Sequence, residues 1–455
     1  MNLSFSTVNP YTNEKIKDWT YADQKTVQSS IEILYKNFLN WKILSCSQRQ
    51  KKLLRVVEQF EIYKEQIAIS ITEQMGKPIT QARAEVQKTI EGAKVLCEMD
   101  LDFINPKTIH SIYSESKVTN EPLGVVVGIM PWNFPLWQTM RMIFPALLSG
   151  NAVLLKHSEI TPEIGDWVQL CFQKADIGFE ILNHQLFSHD LTEMVLSNEH
   201  IGGVSLTGST RAGKIVSEIA GRYLKKSIFE LGGSDPYIVL PDANLKFAAK
   251  KIIQSRMNNC GQVCISAKRA LIQESNLSEF LVFLKSEMQK FEFGDPMAES
   301  TNLGPLAHIK FKNQYNEQIS VVDKYAEKIE IFEKQNSIAA FVQPVILVFK
   351  NNHDILRTLE IFGPALAVIP YKNEIQAIEI ANSTIYGLGA AVFSPNIENA
   401  KKICGQLIAG QIAINDNIKS DVFLPFGGFK SSGFGRELGH VGFFEFTQSK
   451  VISVK

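Results

Sequence analysis

The sequence predicts an α/β protein built on two mainly parallel sheets, and three observations carry that expectation. Its 455 residues are too many for one ordinary hydrophobic core. From about residue 121, short apolar runs alternate with stretches of helical spacing, the pattern of βαβ units. No low-complexity linker or internal repeat interrupts the alternation, so two α/β blocks are expected to share a broad interface with a cleft between them.

Before that alternation, the first hundred residues read as helix. Ser47-Gln48-Arg49-Gln50 has the form of a capping box, Leu53, Val57, Phe60, Ile67 and Ile71 recur at helical spacing, and Gly76-Lys77-Pro78 ends the pattern. The runs 123–130, 152–155, 201–206 and 226–230 then read as strands, and 135–149, 161–174 and 209–220 as the helices between them. A second block from 233 to 437 has a strand at 237–240, helices near 244–257 and 276–290, and strands near 366–370 and 389–393. The boundary is placed at Gly232-Gly233. Ligands on sheets of this kind sit beyond the carboxyl ends of the strands, which is where the polar motifs below fall.

Composition narrows the function. Lys+Arg and Asp+Glu both number 47, so the chain has no general attraction for nucleic acid or anionic membranes, and neither is expected as a partner. Met1-Asn2-Leu3-Ser4-Phe5 is not a basic segment followed by an apolar one, and no apolar run approaches the roughly 20 residues that span a bilayer; a cytoplasmic location is expected. Six cysteines scattered along a long chain favour free thiols, so a special cysteine here is chemical and not structural.

The strongest local signal is Asn259-Cys260-Gly261-Gln262-Val263-Cys264. A thiolate attacks electrophilic carbon, and a nearby glycine lets a backbone amide turn towards the developing oxyanion. Taken alone, Cys264 is equally a small buried core residue. Asn133, between Pro131 and Pro135 in a stiffened loop after the first clear strand, is placed either to donate to an oxyanion or to cap the helix that follows. Glu230 ends an apolar strand before two glycines, which suits a desolvated general base, although most glutamates simply pair with a cation. Gly208-Ser209-Thr210-Arg211-Ala212-Gly213-Lys214 imitates a P-loop, but the next residue is Ile215, which cannot hold magnesium. What remains is a helix start suited to a pyrophosphate. Cys260 and Cys264 lack a second Cys or His pair for zinc; a reversible 260–264 disulfide is the alternative they leave.

With these motifs in order, the chain resembles the aldehyde dehydrogenase superfamily, and most closely its bacterial succinate-semialdehyde branch. The resemblance rests on Pro131-Trp132-Asn133-Phe134-Pro135, Lys156-His157-Ser158-Glu159, Gly208-Ser209-Thr210 with Gly213, Glu230-Leu231-Gly232-Gly233, Gly261-Gln262-Val263-Cys264, Glu360-Ile361-Phe362-Gly363-Pro364 and Pro425-Phe426-Gly427-Gly428. It implies two Rossmann-like domains and a small arm: 1–110 with 123–232 for the dinucleotide, 233–437 for catalysis, and 111–122 with 438–455 pairing subunits into a homodimer or homotetramer. It further implies Cys264 as nucleophile, Asn133 as oxyanion donor and Glu230 as the base that activates water.

Trp132, Lys156, Ser158, Glu159, Gly208, Ser209, Gly213, Leu231, Glu360 and Phe362 would contact the cofactor, which the Glu159 carboxylate makes NAD ahead of NADP. Arg141, with Trp137 and Phe426, would contact the substrate. Arg141 lies in an otherwise apolar run and needs an anion, either the substrate's carboxylate or a structural one. Some members of the branch carry a second arginine immediately before the Asn of the nucleophile loop; here that position is Asn258, and Arg256 is close by in sequence. The expected reaction is oxidation of an aldehyde, with succinate semialdehyde first among candidates and other short aliphatic aldehydes next. A CoA-acylating relative and a silent homologue are the rivals; Glu230 argues against the first, and the intact Cys264, Asn133 and Glu230 against the second.

Overall fold

A computed structural model describes residues 3–332 and 339–455. Two large sheets dominate it. The first runs, in spatial order, Gly433–Phe434, Lys226–Glu230, Ile201–Thr207, Val125–Ile129, Ala152–Lys156 and Leu182–His184, with every neighbour parallel except the short antiparallel Gly433–Phe434. The second runs Ala326–Glu330, Val345–Phe349, Ala365–Tyr371, Arg269–Gln273, Pro236–Val239, Gly389–Phe393 and Gln411–Ile414; its first strand is antiparallel and the rest are parallel. The Val- and Ile-rich central strands are buried on both faces, as helix-covered parallel sheets require.

Each sheet has its own core. Trp41, Phe60, Val127, Phe144, Leu154 and Phe229 belong to one, and Tyr237, Ile253, Leu271, Phe280, Val368 and Val392 to the other. Phe311 packs against both, so the two cores meet beside its ring. A smaller antiparallel sheet joins Lys107–Thr108, Glu115–Pro122 and the tail strand Thr447–Val454.

In the first sheet the chain reverses its direction of growth between Val125–Ile129 and Ile201–Thr207, because the strands that follow them add on opposite sides. The carboxyl ends at such a switch point form a crevice. Met130 to Asn133 leave one end and Gly208-Ser209 the other.

The N-terminal segment departs from the all-helix expectation. Ser4–Val8 and Lys15–Thr20 form an antiparallel hairpin before the first helix, Gln24–Trp41. The capping box exists but sits two residues earlier than its sequence form suggests: Ser45 caps helix Cys46–Ile62 and Gln48 reaches back to it, while Ser47 lies inside the helix. The apolar stripe from Leu53 to Ile71 spans two helices broken at Tyr63, the second ending on Gly76 in the left-handed region at φ 73°.

Candidate active site

The loop leading to Cys264 follows helix Leu245–Met257 and is wound tightly. Asn259, Cys260 and Gly261 occupy the left-handed region in succession, with φ of 50°, 51° and 75°, a conformation held only where the surroundings impose it. They do. Arg256 donates through Nη2 to the carbonyls of Gly261 and Gly363, and Gln81 accepts from the Asn259 backbone N–H at 2.9 Å. Gln262 Nε2 donates to the Asn259 carbonyl at 3.1 Å. Arg256 Nη2 is thus spent on the loop, and Arg256 does not line the pocket onto which Cys264 opens, so it is not placed as a second cation for substrate.

Asn133 is buried, and its side-chain Nδ2 donates to the Gln262 carbonyl at 2.9 Å, two residues before the cysteine. It does not cap the next helix: the first turn of Pro135–Leu148 is capped by Glu85 Oε1, which accepts from the Leu136 and Trp137 N–H groups at 3.0 and 3.1 Å. The Asn133 backbone oxygen is itself held, accepting from Lys77 Nζ and Asn259 Nδ2, both at 2.8 Å. Lys77 is in turn ion-paired to Glu85, both side chains fully buried. Lys77 and Glu85 thus place Asn133, yet in sequence Gly76-Lys77-Pro78 registers only as a helix stop.

Cys264 opens onto a pocket of ≈ 490 Å³ whose walls include Phe134, Trp137, Val263, Ile418 and Phe426, with Arg141 and Lys88 as polar features. Burial pushes its thiol up to about 11, against the pull of Lys268 and Arg141 and with the added push of Asp235 and Glu230. Lys268 donates to the Cys264 carbonyl and to Glu360 Oε1, both at 2.7 Å. Glu360 also accepts from the Gly233 N–H at 3.1 Å, so the residue expected to contact the cofactor is tied to the Cys264 loop through Lys268.

Glu230 lies at the end of its strand, buried, and neither carboxylate oxygen has a hydrogen-bond partner among the described residues. Burial raises its proton affinity well above the ordinary carboxylate range; a neighbouring Glu437 raises it further, and Arg141 and Arg436 pull it back. Gly427 is pressed against it, where a Cβ would come within 2.8 Å of Oε1.

Arg141 meets a structural carboxylate: its Nε pairs with Glu437, both fully buried, and its guanidinium lies 4.5 Å from the Phe426 ring centroid. Of the two anions the sequence leaves open for Arg141, the fold supplies the structural one. Nη2 nevertheless has no hydrogen-bond partner among the described residues, and Arg141 lines the pocket. Trp137, one turn before it, donates its indole N–H to Ser420 Oγ at 2.8 Å.

The remaining predicted residues gather at the first sheet's carboxyl edge. Lys156 Nζ donates to Glu159 Oε1 at 3.0 Å. Burial works most strongly against the Glu159 charge, but Lys156, the residue's own backbone N–H and His189 together hold the carboxyl below its usual range. The Ser158 Oγ accepts from the Ile160 N–H at 3.2 Å. Ser209 caps helix Thr210–Arg222, and the Gly208 N–H donates to the Glu230 carbonyl at 2.9 Å. A Cβ on Gly213 would strike Leu231, so glycine is what lets that side chain seat over the helix. Trp132 stacks on Phe311 at 4.6 Å and meets Phe362 edge-on at 5.8 Å. This crevice, with a helix N-terminus, small residues and a Lys–Glu pair, suits a dinucleotide.

Cys260 packs in the second core, and burial pushes its thiol up to about 12. It and Cys264 are both free thiols. Among the described residues no cluster of His, Cys, Asp and Glu is arranged to hold a metal ion, and no helix is long and apolar enough to cross a membrane.

The fold, two α/β sheets with a crevice suited to a dinucleotide, defines the class: the chain is an α/β enzyme. The family follows from comparison with known proteins: the model of the aldehyde dehydrogenase family matches residues 2–452. A Deinococcus radiodurans protein named succinate-semialdehyde dehydrogenase (NADP+) is 36% identical over 98% of this chain and 94% of its own length. An Escherichia coli succinate semialdehyde dehydrogenase (NAD(P)+) is 32% identical over 98% and 96%. The crystal structure of a Streptococcus pyogenes succinic semialdehyde dehydrogenase in complex with NADP+ superposes with a TM-score of 0.95 at 30% identity, covering 99% of both chains. The chain belongs to the aldehyde dehydrogenase family.

Proposed function

We propose that the protein oxidises succinate semialdehyde to the dicarboxylic acid, using a nicotinamide dinucleotide and a covalent intermediate on Cys264. One observation carries this reading: Cys264 and the guanidinium of Arg141, with an N–H to spare, line the same pocket. That arrangement suits a substrate with an aldehyde at one end and a carboxylate at the other. The relatives named above for this substrate support it.

The Cys264 thiolate adds to the carbonyl carbon, and the oxyanion accepts from the Asn133 side chain and the Cys264 backbone N–H. The bound dinucleotide supplies the hydride acceptor, in the crevice lined by Trp132, Gly208, Ser209, Leu231, Glu360 and Phe362. Glu230 then takes a proton from water, the resulting hydroxide attacks the thioester carbon, and the C–S bond breaks to give the acid and the free thiolate. The unpaired buried carboxyl of Glu230 fits a base that waits for water, and favours hydrolysis over transfer to CoA. NAD is the preferred dinucleotide in this reading because Glu159 would face a 2′-phosphate, although the relatives' names carry NADP+ or NAD(P)+.

The segments 1–110 and 123–232 form the dinucleotide-binding domain in this reading, 233–437 the catalytic domain, and 111–122 with 438–455 an arm for subunit pairing. The test is direct. Cys264→Ala should abolish acid formation while dinucleotide binding persists, and Arg141→Ala should raise KM for succinate semialdehyde; turnover retained by the first, or KM unmoved in the second, overturns the respective assignment.

A further inference from the structure

The cations lining the pocket differ in what neutralises them. Arg141 is paired with Glu437, and Lys419 with Asp416 at 2.9 Å. Glu85, which also lines the pocket, is paired with Lys77. Lys88 is different: its hydrogen bond runs to a neutral hydroxyl, Ser420 Oγ, at 3.1 Å, and its ammonium lies 4.3 Å from the centroid of the Trp137 ring. Asp421 is near enough to stabilise its charge without pairing directly with it. Among the described residues, Lys88 is thus the pocket cation with no directly paired carboxylate.

Lys88 is exposed, and the contact with Ser420 orients its ammonium. Ser420 Oγ also accepts from Trp137 Nε1, so the hydroxyl is anchored by an indole that forms the pocket wall. An ammonium has three donors; one goes to Ser420, and the others are available to an anion. Desolvation and the like charges of Arg141 and Lys419 work against the ammonium, while Glu85 and Asp421 support it; the balance lowers it to about 8. A negative ligand arriving between Lys88 and Arg141 relieves that repulsion.

We propose that Lys88 is a carboxylate-recognition residue on the solvent side of the pocket, selecting aldehydes with a distal negative charge alongside Arg141. The proposal rests on the reading of this pocket as the site for a carboxylate-bearing aldehyde. Lys88 does not touch the reacting carbon, so its effect falls on binding and hence on KM more than on kcat.

The experiment compares succinate semialdehyde with butanal, its uncharged four-carbon counterpart, in the wild type, Lys88→Gln and Lys88→Arg. The expected result is a wild type that prefers the charged aldehyde, a fall of about tenfold in the kcat/KM ratio of the two substrates in Lys88→Gln, expressed mainly in KM, and recovery of most of that ratio in Lys88→Arg. If Lys88→Gln loses equally on both aldehydes, or leaves the ratio unchanged, Lys88 does not recognise the carboxylate while the substrate reading stands. A wild type indifferent to the charge sinks the substrate reading and Lys88's role together.

Discussion

Lys77 Nζ donates to the backbone oxygen of Asn133 at 2.8 Å, from a position 56 residues earlier in the chain. The same ammonium pairs with Glu85, whose other oxygen caps the helix that begins just after Asn133. A buried ion pair thus fixes both ends of the short link between strand and helix that carries Asn133, the proposed oxyanion donor. Removing one partner leaves the other charge stranded, which typically destabilises by about 3–5 kcal/mol. Lys77→Met should lower the thermal midpoint accordingly. In enzyme assayed well below that midpoint, kcat should fall by about tenfold or more, as a displaced donor demands. Full kcat in the folded variant would show that Asn133 holds its position without Lys77.

Glu230 links stability to function. Its folded carboxyl sits well above the ordinary range, first because of burial and then because of Glu437. For such a group the stabilising contribution is complete below the unfolded value of about 4.3 and is lost as pH rises through the folded value. Glu230→Gln removes the group that must ionise. Its thermal midpoint should match the wild type near pH 4 and exceed it increasingly towards alkaline pH, while steady-state turnover collapses and a first turnover of hydride transfer survives. A midpoint difference that does not change with pH would mean that Glu230 ionises freely in the fold.

In the proposed reading the cofactor preference turns on Glu159. Its carboxylate is held ionised by Lys156, and His189 Nε2 lies 3.8 Å away. Glu159→Gln should shift the ratio of kcat/KM for NAD over NADP towards NADP, by roughly tenfold for the loss of one nearby like charge. A wild type that already favours NADP would remove the case for NAD made from this residue.

Much of both large sheets was legible because their strands are short apolar runs punctuated by glycine and proline: Lys226–Glu230 in the first and Gly389–Phe393 in the second fall where the sequence places them. The N-terminal hairpin was not, since Lys15–Thr20 is mostly exposed and carries no apolar alternation. Among site residues, Cys264, Asn133 and Glu230 stand in motifs at element ends, where local chemistry betrays them. Lys77, Glu85, Lys268 and Glu437 act through partners far away in sequence: Arg141 and Glu437 are 296 residues apart. No local spacing encodes such a meeting, so the anion that satisfies Arg141 was open until the fold supplied Glu437.

The tail strand Thr447–Val454 pairs with Glu115–Pro122 on one side only and is the edge of its sheet. Val451, Ile452 and Val454 are 64%, 52% and 51% exposed, and Ile112 nearby in the same arm is 95% exposed. A long apolar edge strand with unpaired backbone groups invites pairing with another chain unless it is covered. A second copy of this chain is the cover that the proposed arm supplies, joining protomers in a dimer or a dimer of dimers. Light scattering coupled to gel filtration should therefore give twice or four times the chain mass. Val451→Lys together with Val454→Lys should shift it towards the monomer, because each buries a charge in the interface without a partner. A wild-type monomer at micromolar concentration would dismiss the arm as an assembly device.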